Sequence, residues 1–150
     1  MQGRNMVIFF MAGLVGAWLA TAIAGELPSP TSKPLSSIIK GVEDQKLGSI
    51  SEAEFDDGLW EIKVCQEQGC LKLYLNPETG QEQRRRPTHF EETPPANSLA
   101  LSIIIQSIEA RGQGTITEVE FDDGFWEVKL RKDRQKIKLV VDPMTGDTRP

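Results

Sequence analysis

Apolar residues recur at two places in the chain with the spacing of an amphipathic helix. They fall at i, i+3, i+4 and i+7 in both places, as Leu35, Ile38, Ile39 and Val42, and as Leu101, Ile104, Ile105 and Ile108. This period puts all the apolar side chains of a segment on one helix face. Pro34 suits the first turn of the first helix, and Asn97 or Ser98 can cap the second. The pattern therefore predicts two helices, each with one apolar face.

Charged and apolar residues alternate after each predicted helix, which is the period of a half-buried strand. In the first half of the chain this alternation covers residues 60–64 and 71–75. Asp57-Gly58 precedes these stretches and is a strong signal for a two-residue hairpin, because a type I′ turn needs positive φ at both central positions. The first half is therefore predicted to contain three strands joined by hairpins.

Two long stretches of the sequence are copies of one another. Residues 35–84 align without a gap on residues 101–150, and the blocks 54–61 and 120–127 are nearly identical. Such self-similarity indicates a repeated structural unit. In each unit the apolar face of the helix has one place to dock, which is the apolar face of the sheet. The predicted fold class is α+β, with two repeated α-β-β-β modules, each a helix packed on a three-stranded antiparallel sheet.

Some apolar residues depart from this alternation. Ile50 and Ile116 have the wrong parity for the apolar face of the first strand, so the strand either begins after them or carries a bulge there. Leu59 and Phe125 point to the polar side. We interpret them as residues that flank the turn, with a hydrophobic contact site as the alternative.

The segments outside the modules differ from them in composition. The N-terminus combines a basic start at Arg4, a long apolar run and the small-residue signal Ala22-Ile23-Ala24, as in a signal peptide. Proline-rich or charged stretches stand before each module. The predicted division is a signal peptide at 1–24, a tether at 25–33, module 1 at 34–83, a proline- and charge-rich linker at 84–97, and module 2 at 98–150.

The N-terminal segment predicts export from the cytoplasm. If it is cleaved before Gly25, the protein is periplasmic or secreted and has no stable membrane insertion. The alternative is an uncleaved segment that anchors the protein, since the apolar run approaches the minimum of about 17 residues for a membrane span. The net charge is -5, and loss of Arg4 makes the remainder more acidic. This sign argues against nucleic acid as a partner, because phosphate binding needs a basic face.

The two cysteines stand on either side of the turn between the second and third predicted strands. If Val64 pairs with Leu71, then Cys65 and Cys70 lie directly opposite each other, within reach of a disulfide. An oxidising compartment favours this bond. We predict a Cys65–Cys70 disulfide as a structural staple. A redox-active pair is the alternative, although the spacing is not Cys-x-x-Cys.

The sequence offers little for catalysis. His89, the only histidine, lies in the predicted linker as a solvated residue, without a set of nucleophile, base or metal ligands. The aspartate pairs at 56–57 and 122–123 precede a glycine, which favours a role in the turn over calcium binding. The basic run at 84–86 falls short of the roughly four to eight charges of lipid-binding clusters. We predict no enzyme activity, no metal site and no cofactor.

Like charges face each other on the polar side of the predicted hairpins. Glu54 lies opposite Glu61, and Glu120 lies opposite Glu127, an arrangement that is mildly destabilising. One explanation is that lysines neutralise these pairs diagonally, namely Lys63, Lys72, Lys129 and Lys138. The alternative is a surface that binds a protein partner. Its predicted members are Glu54, Glu61, Tyr74, Glu120 and Glu127, with Leu59 and Phe125 as further apolar contacts.

Several motifs follow each predicted helix in the same order. They are a strand ending in Glu-Phe-Asp-Asp-Gly, a strand beginning Trp-Glu, and a close of the form Asn-Pro-Glu-Thr-Gly or Asp-Pro-Met-Thr-Gly. In this order they resemble the PepSY domain, here in tandem, and the resemblance covers both copies. It implies binding or inhibitory modules without catalytic residues, as in the pro-regions of secreted metallopeptidases and in envelope proteins.

The resemblance leaves two functions open. The first is a non-catalytic exported protein-binding module that restrains a peptidase or another envelope enzyme. The alternative is a structural or sensory envelope component with no inhibitory activity. The sequence contains no recognisable peptidase domain, so inhibition follows from the resemblance alone. We expect a protein partner, a peptidase or an envelope protein that the sequence does not identify, although the structural or sensory alternative also allows recognition of cell-wall material.

Overall fold

The computed structural model describes residues 26–149, so the predicted signal peptide at 1–24 and the first residue of the tether lie outside the described residues. The described chain forms two helices and eight strands. They are α1 (Leu35–Glu43), β1 (Ser49–Asp56), β2 (Leu59–Gln66), β3 (Gly69–Leu75), β4 (Glu82–Thr88), α2 (Leu101–Ala110), β5 (Thr115–Asp122), β6 (Phe125–Lys132), β7 (Gln135–Val141) and β8 (Thr148–Arg149). The predicted repeat of a helix followed by antiparallel strands is confirmed.

The strands of both modules form one continuous antiparallel sheet in the order β4-β3-β2-β1-β5-β6-β7-β8. The modules join at β1 and β5, where Glu52 pairs with Glu120 and Glu54 pairs with Glu118. Ala53 pairs with its own repeat equivalent, Val119, so an approximate twofold axis passes through this pair. The two modules therefore share one sheet and do not swing as separate bodies on a linker.

The prediction of three strands per module is wrong, because each module carries a fourth. In module 1 this strand is β4, which pairs with β3 from Cys70 to Leu75. It contains residues 84–88, so the predicted linker at 84–97 is wrong in its first part. Residues 83–87 are exposed on both sides, and Pro87 is tolerated because β4 is an edge strand. Because β4 is exposed and held by backbone hydrogen bonds, its sequence lacks the alternation of apolar and polar residues from which a strand is predicted.

The hairpins and their irregularities follow the sequence closely. Phe55 pairs with Trp60, and their rings meet edge to face at 5.3 Å between centroids. Asp57 and Gly58 both have positive φ, as a type I′ turn requires. The register shifts between Ile50 and Glu52, and the equivalent shift occurs in β5. These bulges turn the two isoleucines of unusual parity, at positions 50 and 116, into the core.

Both helices pack on one face of the sheet and contact each other, with their apolar residues in a single core cluster. The predicted cap of α2 at Asn97 or Ser98 is wrong, since no side chain of its own segment caps the helix. Instead, the Glu43 carboxylate accepts hydrogen bonds from the Ser102 hydroxyl at 2.6 Å and the Ser102 N–H at 3.1 Å. Glu109 makes the same contacts with Ser36. Each helix therefore caps the other across the pseudo-twofold axis.

The face of the sheet opposite the helices is polar, and we call it the polar face. The other face of the sheet packs against the helices to form the core, so the polar face is the face of the sheet that no helix covers. Within the described residues, neither helix is long and apolar enough to cross a bilayer.

Candidate functional site

Four glutamates meet at the centre of the polar face, where the modules join. Glu52 lies opposite Glu120, and Glu54 lies opposite Glu118, on either side of the buried Ala53–Val119 pair. Strand alternation puts all four side chains on the side away from the helices. We call this group the glutamate quartet. The hairpin register adds Glu61 beside Glu54 and Glu127 beside Glu120, as predicted.

Two members of the quartet, Glu54 and Glu120, have a pKa above the ordinary value for glutamate. Burial raises the pKa of Glu54, and the charges of Glu118 and Glu52 raise it further. Burial likewise raises the pKa of Glu120, with added repulsion from Glu52 and Glu118. Both causes disfavour the ionised carboxylate. The ionised forms of Glu54 and Glu120 are therefore disfavoured at the centre of the polar face.

Lysines pair with four of the six glutamates of this surface, namely Glu52 and Glu118 of the quartet and the outer residues Glu61 and Glu127. The lysine Nζ and glutamate Oε atoms are 2.6 Å apart in the Lys72–Glu61, Lys129–Glu118 and Lys138–Glu127 pairs. The Lys63–Glu52 separation is 2.7 Å. Among the described residues, Glu54 and Glu120 make no ion pair with a lysine or arginine. The predicted diagonal neutralisation therefore applies to Glu61 and Glu127. Within the quartet, Glu52 and Glu118 have lysine partners, and Glu54 and Glu120 have none.

Tyr74, another predicted member of the partner surface, is covered by β4. Its side chain is 9% exposed, and the Arg84 guanidinium lies 4.0 Å from the ring centroid. This is a stacking arrangement of a cation on an aromatic face. The strand β4, which the sequence did not predict, thus removes Tyr74 from the accessible surface. Leu59 and Phe125 are half-buried, and Arg149 lies over the Phe125 ring at 5.1 Å.

The chain after β4 also covers part of the polar face of module 1. The Lys63 ammonium, in a side chain only 4% exposed, pairs with Glu91 as well as with Glu52. Burial alone would lower the pKa of Lys63, but its hydrogen bonds to Glu52 and Glu91 raise it. His89 is exposed, with Nε2 2.9 Å from Glu91. Residues 89–91 are thus held against the sheet by a buried charge.

Glu92, in the chain after β4, binds the turn between β5 and β6. The Glu92 carboxylate accepts hydrogen bonds from the Asp123 N–H at 3.1 Å and the Gly124 N–H at 3.2 Å. Carboxylate oxygens of Glu92, Asp122 and Asp123 come within 4.8 Å of one another, and all three residues are exposed. The backbone hydrogen bonds account for the position of Glu92, and the predicted turn role of the aspartates agrees with the positive φ of Asp123.

The disulfide prediction is confirmed. Cys65 pairs with Cys70 across β2 and β3, with their Cα atoms 4.1 Å apart, and the sulfur atoms are bonded. The equivalent positions in module 2 hold Arg131 and Lys136, which face each other in the same way. The polar faces of the two modules therefore differ where module 1 has its staple.

Comparison with known proteins supports the repeat found in the sequence. The model of a family described as "Peptidase propeptide and YPEB domain" matches twice, over residues 6–85 and 88–148. The first match begins inside the segment that we interpret as a signal peptide. No curated protein matches the chain. Among solved structures, a protein from Clostridium difficile 630 assigned as a lipoprotein is similar, with a TM-score of 0.49 and 13% identity over 79% of this chain and 91% of that chain.

Proposed function

Because the chain belongs to the family of peptidase propeptide and YPEB domains, we propose that it is an exported, non-catalytic module that binds a protein partner. The proposed location is the periplasm or the extracellular space, with anchoring by an uncleaved N-terminal segment as the alternative. The partner is a peptidase or another envelope enzyme whose activity the module restrains. A peptidase is suggested by the family description. The proposed binding surface lies on the polar face.

The observation that carries the proposal is the glutamate quartet. Opposed like charges destabilise a sheet, yet Glu54 and Glu120 lie at the centre of the polar face and, among the described residues, form no ion pair with a lysine or arginine. A partner that brings arginine or lysine to this position would relieve the repulsion on binding. Such charge complementarity also accelerates association and excludes partners of the wrong sign. The proposed surface is therefore the quartet, with Glu61 and Glu127 at its rim.

Affinity capture from an envelope extract tests this proposal. The bait is the wild-type protein or the double variant Glu54→Gln with Glu120→Gln, which keeps shape and hydrogen-bonding capacity but removes both charges. A matched control carries Glu67→Gln and Asp133→Asn, which remove two charges in exposed turns away from the quartet. We expect the quartet variant to recover the partner several-fold less well than the wild type and the control. Equal recovery by all three baits would contradict the proposed surface.

An inhibition assay separates the two functions that remain. Each captured peptidase or envelope enzyme is assayed with and without added module. A fall in activity that the quartet variant fails to produce supports restraint. If the partner binds through the quartet but no captured enzyme is inhibited, the protein is a structural or sensory component of the envelope instead.

A further inference from the structure

The chain between β4 and α2 contains a short segment that is held at both ends. Its start is fixed at Thr88, the last residue of β4, which pairs with β3. Its end is fixed by Glu91, which binds Lys63 on β2, and by Glu92, which binds the turn between β5 and β6. We call residues 88–92 the strap.

The anchors of the strap require a nearly extended backbone. In the order of the sheet, β4 and β5 are four strand spacings apart. At about 4.8 Å for each spacing, the strap has to cross roughly 19 Å. Five extended residues span at most about 14 Å between their first and last Cα atoms, and the Glu92 side chain covers the rest. The strap therefore crosses the sheet as an extended segment.

Phe90 stands between these anchors and points away from the sheet. Successive side chains of an extended backbone point to opposite sides, and Glu91 reaches toward the sheet to bind Lys63. The Phe90 side chain is accordingly 63% exposed. Among the described residues, no backbone N–H or C=O group of residues 90–92 bonds to another backbone group. The strap therefore offers an exposed aromatic side chain beside unpaired backbone groups.

The strap suits a cleft that binds extended peptides. Such a cleft forms hydrogen bonds with the backbone of the peptide and takes one of its side chains into a pocket. Peptidases recognise substrates in this manner, and the pocket determines which side chain they select. Because the strap is already extended and anchored, it loses little conformational entropy when it binds, which favours affinity.

The strap also adjoins the surface proposed for partner binding. The Lys63 ammonium binds Glu91 of the strap and Glu52 of the quartet at the same time. A partner that places basic groups on the quartet therefore lies beside the strap. One partner can contact both, with its basic groups on the quartet and a cleft over Phe90.

We infer that the strap enters the substrate cleft of a peptidase partner as a substrate-like segment, with Phe90 in a pocket that selects large apolar side chains. This inference deepens the proposed function and rests on it, since the partner has to be a peptidase. The backbone of residues 90–92 pairs with the cleft, and the anchors keep the strap in place and slow its cleavage. Lys63 is the positioning residue, because it holds the strap through Glu91.

The probe for this inference is chymotrypsin, whose pocket takes large apolar side chains, acting on a small chromogenic phenylalanine substrate. We expect the wild-type protein to inhibit competitively, so that the apparent KM rises and kcat is unchanged. Phe90→Ala should weaken inhibition by roughly tenfold or more, because an aromatic anchor in a pocket carries much of the binding free energy. Leu27→Ala, which truncates another exposed apolar side chain, is the matched control and should inhibit as the wild type does.

A second variant changes the specificity of the strap. Phe90→Arg should lose inhibition of chymotrypsin and gain inhibition of trypsin, whose pocket takes a basic side chain. The wild-type protein is the control for trypsin, since it already contains the arginines at 84–86. If the wild type and Phe90→Arg inhibit trypsin equally, position 90 does not occupy the pocket and the inference is wrong.

Lys63→Met tests the anchor. With the strap released, chymotrypsin should hydrolyse the bond between Phe90 and Glu91, adding water to give a new carboxylate and a new amine. Mass spectrometry should show this cut sooner than in the wild type, and inhibition should be lost as cleavage proceeds. Lys129→Met, at the equivalent position of module 2, should remain an inhibitor. Equal cleavage of the two variants would contradict the positioning role of Lys63.

The remaining outcomes separate this inference from the proposed function. If the wild-type protein leaves chymotrypsin uninhibited, or if Phe90→Ala inhibits as well as the wild type, the strap does not enter a peptidase cleft. The quartet is tested independently by capture from the envelope extract. A partner that is captured through the quartet and inhibited without dependence on Phe90 supports the proposed function and overturns this inference.

Discussion

Replacing both Glu54 and Glu120 by glutamine is expected to stabilise the protein at neutral pH. Burial and neighbouring carboxylates raise the pKa of each group above the ordinary value of 4.5. A carboxyl group with a raised pKa in the folded state opposes folding once it is ionised. The cost is fully present above the raised pKa and disappears as the pH falls towards the value of the unfolded chain. Glutamine has no charge to lose, so the variant avoids this cost.

The size of the effect follows from the pairs that the substitutions remove. Glu54 faces Glu61 and Glu118, and Glu120 faces Glu127 and Glu52. A pair of opposed like charges costs between about 0.2 and 1 kcal/mol. Because each facing glutamate has a lysine partner, the low end of this range applies, and the pairs together amount to about 1 kcal/mol. This corresponds to a rise in Tm of about 3–5 °C.

Urea denaturation at about pH 7 and about pH 4 measures this difference. The variant should be more stable than the wild type at the higher pH, and the two should converge at the lower pH. Added salt should shrink the gain, since exposed charges are screened. A variant that is less stable at neutral pH would refute the reasoning. So would a gain that persists at about pH 4, because the cause would then be packing and not charge.

Three further predictions concern single contacts. Replacing Cys65 and Cys70 by serine should lower the free energy of unfolding by about 2 kcal/mol, the chain-entropy value for a short loop. Non-reduced mass spectrometry showing two free thiols in the native protein would contradict this staple. Lys63→Met should cost about 1–3 kcal/mol and expose residues 89–92 to proteolysis, because it leaves two carboxylates without their buried partner. The matched variant Lys129→Met should cost less than about 1 kcal/mol, and equal costs would count against the bridging role. Glu43→Ala should cost about 1 kcal/mol by thermal unfolding through loss of the cap of α2, and an unchanged Tm would argue against capping by the opposite helix.

The parts of the site that could be predicted are those set by neighbours along the chain. The hairpin signal at Asp57-Gly58 fixed the pairing of Glu54 with Glu61, because a two-residue turn allows one register. The same logic placed Cys65 opposite Cys70. These interactions span a few residues, so their geometry follows from the turn and from the alternation of the strands.

The parts that could not be predicted depend on contacts between distant segments. Glu52 and Glu118 complete the quartet only because β1 pairs with β5. The sequence of each of these edge strands does not indicate which strand it pairs with. The burial of Tyr74 depends on β4, which we predicted to be part of a linker because it contains arginines and a proline. Backbone hydrogen bonds between edges need no particular side chain, which is why side-chain patterns did not reveal them.

The sequence by itself thus determined the two helices, the core strands of each module, the tight turns, the disulfide and the family. All of these rest on periodicity, turn chemistry or motif order, which are local properties of the chain. Only the tertiary structure decided that the modules share one sheet, that a fourth strand covers Tyr74, and that four glutamates meet at the seam. Those outcomes arise from the pairing of exposed strand edges. This pairing is stabilised by backbone hydrogen bonds, which every sequence can form.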